Sequence, residues 1–110
     1  HGHLTEEVFG VRDLQKILTA LSEDEVVIDC RTSDEYEAGH IPGAINLPMG
    51  KELHQLGELR NYRKIYLYCY SGRRSQTVFA TLTSKGLDNM VCLGSSGMAE
   101  WKKLGYFVEK

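Results

Sequence analysis

The chain has 110 residues, of which 42% are hydrophobic and 25% are charged. This length and composition fit one compact domain with its own apolar core. Thirteen basic and fifteen acidic residues give a net charge of −2, which argues against nucleic-acid or polybasic membrane binding, because both normally need a concentrated positive surface. No apolar run approaches the ~18 residues needed to cross a bilayer, so we expect a soluble protein without a membrane partner.

The start of the chain bears on the domain boundary. It opens with His1-Gly2-His3 rather than Met. We interpret residues 1–3 as the remnant of a purification tag and expect residues 4–110 to form a single domain. Excision from a longer protein, or removal of a secretory leader, would explain the same start. The compartment therefore stays open, with the cytoplasm favoured and the periplasm as the alternative if a leader was removed.

The first half of the chain alternates between helical and strand patterns. Apolar residues spaced by three and four over residues 11–21 predict an amphipathic helix. The β-branched run 26–30 predicts a strand buried on both faces. Thr32 and Glu35 form a capping box for a short helix through Ala38 that ends at Gly39. Residues 44–48 then predict a short strand closed by proline. Three leucines predict a further helix, interrupted or ended near Gly57: Leu53, Leu56 and Leu59.

The second half repeats the alternation. Residues 65–69 predict a second buried strand, followed by a helix that ends at Gly86. Residues 90–93 predict the last clear strand, and the Ser/Gly segment 94–97 a flexible connector. The apolar residues of a final short helix are Met98, Trp101 and Leu104.

Strands separated by helices of this length indicate βαβ units. We therefore predict an α/β fold in three layers, with a mostly parallel sheet of about five strands and helices on both faces. Ligands of such sheets bind beyond the carboxyl ends of the strands. Asp29, Arg31, Cys69 and the connector after Leu93 fall at this edge.

The chain has three cysteines, namely Cys30, Cys69 and Cys92. Their odd number, in a domain large enough to fold without bridges, argues against a disulfide framework. There is no Cys-x-x-Cys pair, and the histidines are scattered. We therefore expect no metal site.

Cys69 begins a short loop that joins a predicted strand to a predicted helix. Such a loop can curl its backbone N–H groups around the sulfur at the helix N-terminus. Gly72 removes a side chain that would obstruct the curl, and Arg73 and Arg74 add positive charge. Each of these features favours the thiolate, which is the reactive form of cysteine. The alternative interpretation of Cys69 is a buried core cysteine at a strand end.

Several segments resemble the rhodanese homology domain. They are Asp29-Cys30-Arg31, residues 36–46 with the run Gly-His-Ile-Pro-Gly-Ala, and residues 68–75 with the pattern Cys-x-x-Gly-x-Arg-Ser. Trp101 followed by Gly105-Tyr106 is similar to the closing pattern of the family. The resemblance runs from about Val26 to Val108.

The resemblance implies a single-domain sulfurtransferase. In that family the loop cysteine takes the outer sulfur of a donor such as thiosulfate as a persulfide, and passes it to cyanide or another thiophilic acceptor. By matching position, Cys69 is the nucleophile. The expected partners are a small anionic sulfur donor, a thiophilic acceptor and possible protein acceptors of sulfur. No cofactor is implied, because the chemistry needs only the thiol. The implied loop that binds the substrate and the persulfide comprises Tyr70, Ser71, Gly72, Arg73, Arg74 and Ser75.

Two alternatives remain at this point. One is a sulfur carrier or relay module whose donor is a protein or a polysulfide. The other, which is weaker, is a cysteine phosphatase or arsenate reductase. Those enzymes generally place five residues between nucleophile and arginine, whereas four lie between Cys69 and Arg74. A smaller ring suits a single sulfur better than a tetrahedral oxyanion. The natural donor and acceptor, and the oligomeric state, stay open.

Other residues near the predicted site have structural interpretations. Asp29 and Arg31 are site-supporting residues that we expect to pair and to hold the loop. His40 is expected to be a structural imidazole in a turn. Trp101 is expected to anchor the core. Tyr70 faces the loop, and whether its side chain lines the pocket stays open. Cys30 and Cys92 are expected to be inert core thiols, with a resolving role for Cys30 as a remote alternative.

The chain departs from the family pattern after the last strand. Ser96-Gly97 stands where paired glycines are common, and Gly94 stands where an apolar residue is usual. This segment normally shapes one wall of the site, so the departure bears on donor preference. Phe107 replaces a frequent proline, a change that we expect to be structural only.

Overall fold

Four parallel strands form the centre of the fold, in the order β2-β1-β3-β4. The computed structural model describes residues 10–93 and 96–110. In chain order the elements are α1 (Val11–Leu18), β1 (Glu25–Asp29), α2 (Ser33–Ala38), β2 (Ile45–Asn46), a 3₁₀ helix (Glu52–Gln55), α3 (Leu56–Leu59), β3 (Lys64–Tyr68), α4 (Arg73–Ser84), β4 (Met90–Cys92) and α5 (Met98–Lys103).

The register of the sheet brings the ends of the four strands together. Ile28 of β1 lies opposite Ile45 of β2 and Leu67 of β3, and Leu67 in turn lies opposite Cys92 of β4. Because all of these pairings are parallel, the carboxyl ends of the strands share one edge of the sheet. The loops after β1 and β3 leave the sheet at this edge.

Side chains alternate between the two faces of the sheet, as the period of two requires. On one face, strand residues pack against α3 and α4, and the 3₁₀ helix lies on the same side of the sheet. On the other face, they pack with α1 and α5. The first core includes Val26, Ile28, Ile65, Leu67, Val78 and Leu82. The second includes Val11, Leu14, Val27, Tyr66, Tyr68, Met98 and Trp101.

The predicted α/β fold with helices on both faces is therefore confirmed. We predicted about five strands, and the described residues form four. Among the described residues, every helix is too short or too polar to cross a lipid bilayer. Residues 94 and 95 of the predicted connector lie outside the described residues.

One element differs from its prediction, and a second agrees with its prediction. The strand predicted over residues 44–48 is only Ile45–Asn46; it lies at the edge of the sheet, where Ile45 is 47% exposed, so little packing extends it. The helix predicted from the three leucines begins as a 3₁₀ helix and continues as α3, and the change at Leu56 agrees with the predicted interruption near Gly57. Gly57 lies inside α3 with no atom within 4 Å of the position of a Cβ.

Candidate active site

The loop between β3 and α4 turns sharply around the side chain of Cys69. Cys69 directly follows β3, and α4 begins at Arg73 after Gly72 as its N-cap. Gly72 has a φ of 101°, a left-handed conformation that glycine adopts without the clash a Cβ would cause. The glycine thus lets the chain reverse within three residues and enter the helix beside the sulfur.

Backbone N–H groups point at the sulfur of Cys69. The N–H of Gly72 donates to Sγ over 3.1 Å, and the N–H of Ser75 donates over 3.3 Å. The hydroxyl Oγ of Ser75 lies 3.5 Å from the same sulfur. Because Ser75 is in the first turn of α4, the positive end of the helix dipole also faces Cys69.

These donors determine the ionisation of the thiol. Cys69 is only 1% exposed, and burial alone opposes the charged form. The hydroxyl of Ser75 and the backbone N–H groups of Ser75, Gly72 and Ser71 together outweigh burial, so the pKa of the Cys69 thiol is lowered from its ordinary value. A lowered pKa raises the thiolate fraction near neutral pH, and the thiolate is the nucleophile.

The two arginines of the loop have different surroundings. Arg74 binds Glu35 of α2, with Nη1 2.7 Å from Oε1. Glu35 also accepts a hydrogen bond from the backbone N–H of Thr32, and the arginine, more than this bond, lowers the pKa of Glu35 to about 2. Arg73 is exposed, and its side chain makes no hydrogen bond or ion pair within residues 10–93 and 96–110. The sequence indicated Glu35 as a capping residue, but not as the partner of Arg74.

The start of α5 packs against the backbone of the loop. The N–H of Met98 donates to the carbonyl of Cys69 over 2.8 Å, and that of Ala99 donates to the carbonyl of Tyr70 over 3.0 Å. A Cβ on Gly97 would lie 2.1 Å from the carbonyl oxygen of Cys69, so only glycine fits there. The side chain of Tyr70 itself points outward and is 50% exposed.

Asp29 and Arg31 form a buried ion pair beside the loop. Their exposed fractions are 0% and 3%, and Nη2 of Arg31 lies 2.8 Å from Oδ2 of Asp29. The same carboxylate accepts a hydrogen bond from the hydroxyl of Tyr68 over 2.7 Å. Arg31 also donates to the carbonyl of Gly39. The pair therefore ties the end of β1 to the end of β3 and to the chain after α2.

His40 is held on all sides by the fold. Its ring stacks on Tyr36 with centroids 3.8 Å apart. Nδ1 lies 2.9 Å from the carbonyl oxygen of Tyr36, and Nε2 lies 3.5 Å from Oε1 of Glu109. Its backbone pairs with that of Glu109 as an isolated antiparallel bridge. These contacts fit a structural imidazole that fastens the end of the chain.

The other two cysteines differ in whether they contact the residues around Cys69. Cys30 is buried in the core just after β1, and burial, more than neighbouring charges, strongly raises the pKa of its thiol. Cys92 is half-buried at the end of β4, and its Sγ lies 3.5 Å from Oγ of Ser75. The sequence suggested Cys30 as the nearer second thiol. The structure instead places Cys92 beside Ser75, the residue whose hydroxyl also contacts Cys69. Strand periodicity alone could not show this contact.

No group of three or more histidine, cysteine, aspartate or glutamate side chains in the described part of the chain could hold a metal ion. The described groups around the Cys69 thiol are the N–H groups of Gly72 and Ser75, the hydroxyl of Ser75 and the nearby guanidinium groups.

Known proteins resemble this chain in sequence and in fold. A model of the rhodanese-like domain family matches residues 12–104. A Bacillus subtilis (strain 168) protein named as a sulfur carrier is 35% identical over 75 residues, which are 68% of this chain and 40% of that protein. The thiosulfate sulfurtransferase GlpE of Coxiella burnetii (strain RSA 331 / Henzerling II) is 36% identical over 80 residues, which are 72% of this chain and 73% of that protein.

A solved structure agrees with the sequence matches. The crystal structure of a rhodanese-related protein from Thermoplasma volcanium has a TM-score of 0.77 and 28% identity, and the match covers 94% of this chain and 97% of that one. The chain spans less than half the length of the Bacillus subtilis sulfur carrier. By its matched residues, its fold and its relatives, the chain belongs to the rhodanese-like domain family and is related to the sulfurtransferases of that family.

Proposed function

We propose that this domain transfers sulfane sulfur through a persulfide on Cys69, from a small anionic donor such as thiosulfate to a thiophilic acceptor such as cyanide. The observation that carries the proposal is the pair of N–H groups, from Gly72 and Ser75, aimed at Sγ. Fixed donors of this kind stabilise the Cys69 thiolate that attacks the donor, and the same thiolate as the group that leaves when the sulfur is passed on, without reorganising.

The first step is an attack by the thiolate of Cys69 on the outer sulfur of thiosulfate. The bond between the two thiosulfate sulfurs breaks with its electron pair on the sulfite that leaves, and a Cys69–S–S⁻ persulfide remains. In the second step cyanide attacks the terminal sulfur, forming thiocyanate and returning the thiolate. Charge and atoms balance in both steps, and no cofactor takes part.

Positive groups at the loop favour an anionic donor. Arg73 is exposed and unpaired among the described residues, so it is free to meet a sulfonate group. Arg74 is engaged with Glu35, and we assign it mainly to holding the start of α4 against α2. The backbone N–H groups of the loop 70–75 stabilise the sulfur on Cys69. Asp29 and Arg31 hold the end of β3, from which the loop starts.

A second candidate is a sulfur carrier or relay that accepts sulfur from a protein or a polysulfide. Two observations favour it. One relative of this chain is named as a sulfur carrier, and Cys69 is only 1% exposed. A buried persulfide is shielded from adventitious thiols and water, which suits storage and delivery to a chosen partner more than rapid turnover of small molecules.

Intact-mass measurement after incubation with thiosulfate tests the proposal. We expect the wild-type chain to gain one sulfur atom, and cyanide to remove it. Cys69→Ser should gain none, whereas the control Cys30→Ser should gain one as the wild type does. Sulfur that still adds to Cys69→Ser would refute the assignment of the nucleophile.

Steady-state assays with thiosulfate and cyanide distinguish the two candidates. Sustained thiocyanate formation by the isolated domain supports the small-molecule sulfurtransferase. A persulfide that forms from polysulfide and persists, with little turnover of thiosulfate, supports the carrier instead.

A further inference from the structure

The hydroxyl of Ser75 lies between two thiols of the chain. Its Oγ is 3.5 Å from Sγ of Cys69, 3.5 Å from Sγ of Cys92 and 3.2 Å from the carbonyl oxygen of Gly72. Ser75 is fully buried, so no bulk water competes for these contacts. The three neighbours must share a single hydroxyl proton and the lone pairs of one oxygen.

The protons at this cluster can be arranged in two ways. When Cys69 is a neutral thiol, its S–H can donate to Ser75, whose O–H then donates to the carbonyl of Gly72. When Cys69 is a thiolate it has no proton to donate, and it becomes the strongest acceptor near the hydroxyl. The O–H of Ser75 then turns to Cys69, and its oxygen is left to accept from Cys92.

Cys92 remains a donor throughout the range in which Cys69 ionises. Burial, more than any neighbouring group, raises the pKa of the Cys92 thiol, while hydrogen bonds lower that of Cys69. The alternative acceptor for the Cys92 S–H is the carbonyl of Leu93, at the longer distance of 3.6 Å. Hydrogen bonds in a chain polarise one another. A hydrogen bond from the S–H of Cys92 to Oγ of Ser75 therefore strengthens the bond from the O–H of Ser75 to the sulfur of Cys69.

The register of the sheet argues against a direct link between the thiols. Cys92 pairs with Leu67, and Cys69 lies two residues further along the neighbouring strand. With a rise of about 3.3 Å per residue and strands about 4.8 Å apart, the two Cα atoms are about 8 Å apart. A disulfide requires no more than about 7 Å, so no disulfide joins the two thiols without movement of the backbone, and Ser75 is the residue that contacts both.

We propose that Cys92 is a positioning residue for the Cys69 thiolate: it donates its S–H to Oγ of Ser75 and so holds the hydroxyl proton of Ser75 toward the sulfur of Cys69. The proposal rests on the proposed function, because it assigns a second thiol to the same sulfur site. The other titratable or charged groups around this cluster are Asp29, Arg74 with its partner Glu35, Glu52 of the 3₁₀ helix, and Cys30, whose strongly raised pKa keeps its thiol neutral while Cys69 ionises.

The test is the rate at which Cys69 is alkylated by iodoacetamide as a function of pH, with the labelled peptide identified by mass spectrometry and no sulfur donor present. We expect Cys92→Ala to slow alkylation at neutral pH by about threefold, the effect of losing one hydrogen bond of ordinary strength, and to move the profile to higher pH. Cys92→Val, which fills the site without a donor, should behave in the same way. The control Cys30→Ala removes a buried thiol that does not contact Ser75, and it should leave the profile unchanged.

A double-mutant cycle shows whether the effect passes through the hydroxyl. Ser75→Ala should slow alkylation by more than Cys92→Ala does, and adding Cys92→Ala to Ser75→Ala should change nothing further. The proposal is overturned if Cys92→Ala leaves the wild-type profile in place, or if it slows alkylation equally when Ser75 is absent. Because alkylation needs no sulfur donor, failure of the wild type to load sulfur would refute the proposed function and leave this result standing.

Discussion

The sulfur of Cys69 combines two properties that normally exclude each other. It is almost wholly buried, as an inert core cysteine would be, yet peptide N–H groups and a hydroxyl stabilise its charged form. Their combined effect exceeds the cost of removing the thiolate from water. The reactivity of Cys69 therefore depends on the local backbone of the loop more than on a neighbouring base.

The buried carboxylate of Asp29 provides a test of the support beneath the loop. Asp29→Ala would leave the guanidinium of Arg31 buried without its partner, and the hydroxyl of Tyr68 without its acceptor. Breaking a buried ion pair in this way typically costs about 3–5 kcal/mol of unfolding free energy, which urea denaturation would measure. We expect that loss here.

The control for this prediction is the same substitution in an exposed ion pair. Asp24 contacts Arg63, and both side chains are more than half exposed. Asp24→Ala should therefore change the urea midpoint little. If Asp29→Ala is tolerated as well as Asp24→Ala, the buried pair does not hold the loop as described.

Among the elements, α5 packs closely against the backbone of the cysteine loop. The first N–H groups of α5 cap the carbonyls of Cys69 and Tyr70, and Gly97 lies against the backbone of Cys69. A methyl group at Gly97 must displace either α5 or the loop. We expect Gly97→Ala to lower the unfolding free energy by about 1–3 kcal/mol, the usual cost of overpacking, and to slow alkylation of Cys69.

Gly57→Ala is the matched control for that substitution. It also adds one methyl group to a glycine, but no atom lies within 4 Å of the new Cβ. Because Gly57 lies within α3, alanine there should be neutral or stabilise the protein by up to about 1 kcal/mol. Equal losses for both variants would show that the contact at Gly97 has no special role.

The sequence predicts the central elements well because their patterns are strong. The buried β-branched and aromatic runs of β1 and β3 lie within one residue of their expected positions. The edge strand β2 is shorter than predicted, because the residues 44–48 do not reveal that this strand lies at the edge of the sheet with one side unpaired. The contact of Cys92 with Ser75 depends on how α4 packs against β4, and no pattern along the sequence predicts that packing.

The resemblance of the loop to a known motif predicts Cys69 as the nucleophile, but it does not predict the arrangement around it. The partner of Arg74 was missed because Glu35 already had an explanation as a capping residue, and the structure shows that it serves both purposes. The close approach of Gly97 to Cys69 depends on how α5 docks, so the glycine alone could not reveal it.

Across the whole molecule, stability should be highest at the middle of the sheet. β1 and β3 are each paired on both sides and covered by both cores, whereas β2 is a two-residue edge strand. We expect the amides of β1 and β3 to exchange with deuterium only through global unfolding, and those of β2 through local opening. Hydrogen exchange followed by NMR would measure both classes. Protection of β2 equal to that of β3 would contradict this order.

The segment between β4 and α5 is fastened at both ends. On one side, the N–H of Leu93 binds the carbonyl of Leu67; on the other, the N–H of Met98 binds the carbonyl of Cys69. Displacing either attachment would therefore move the backbone of the sheet edge or of the loop, and Gly97, which lies against the carbonyl of Cys69, fixes how closely α5 approaches. The position of α5 and the shape of the cysteine loop are therefore coupled, so a shift of one helix would be felt at the thiol.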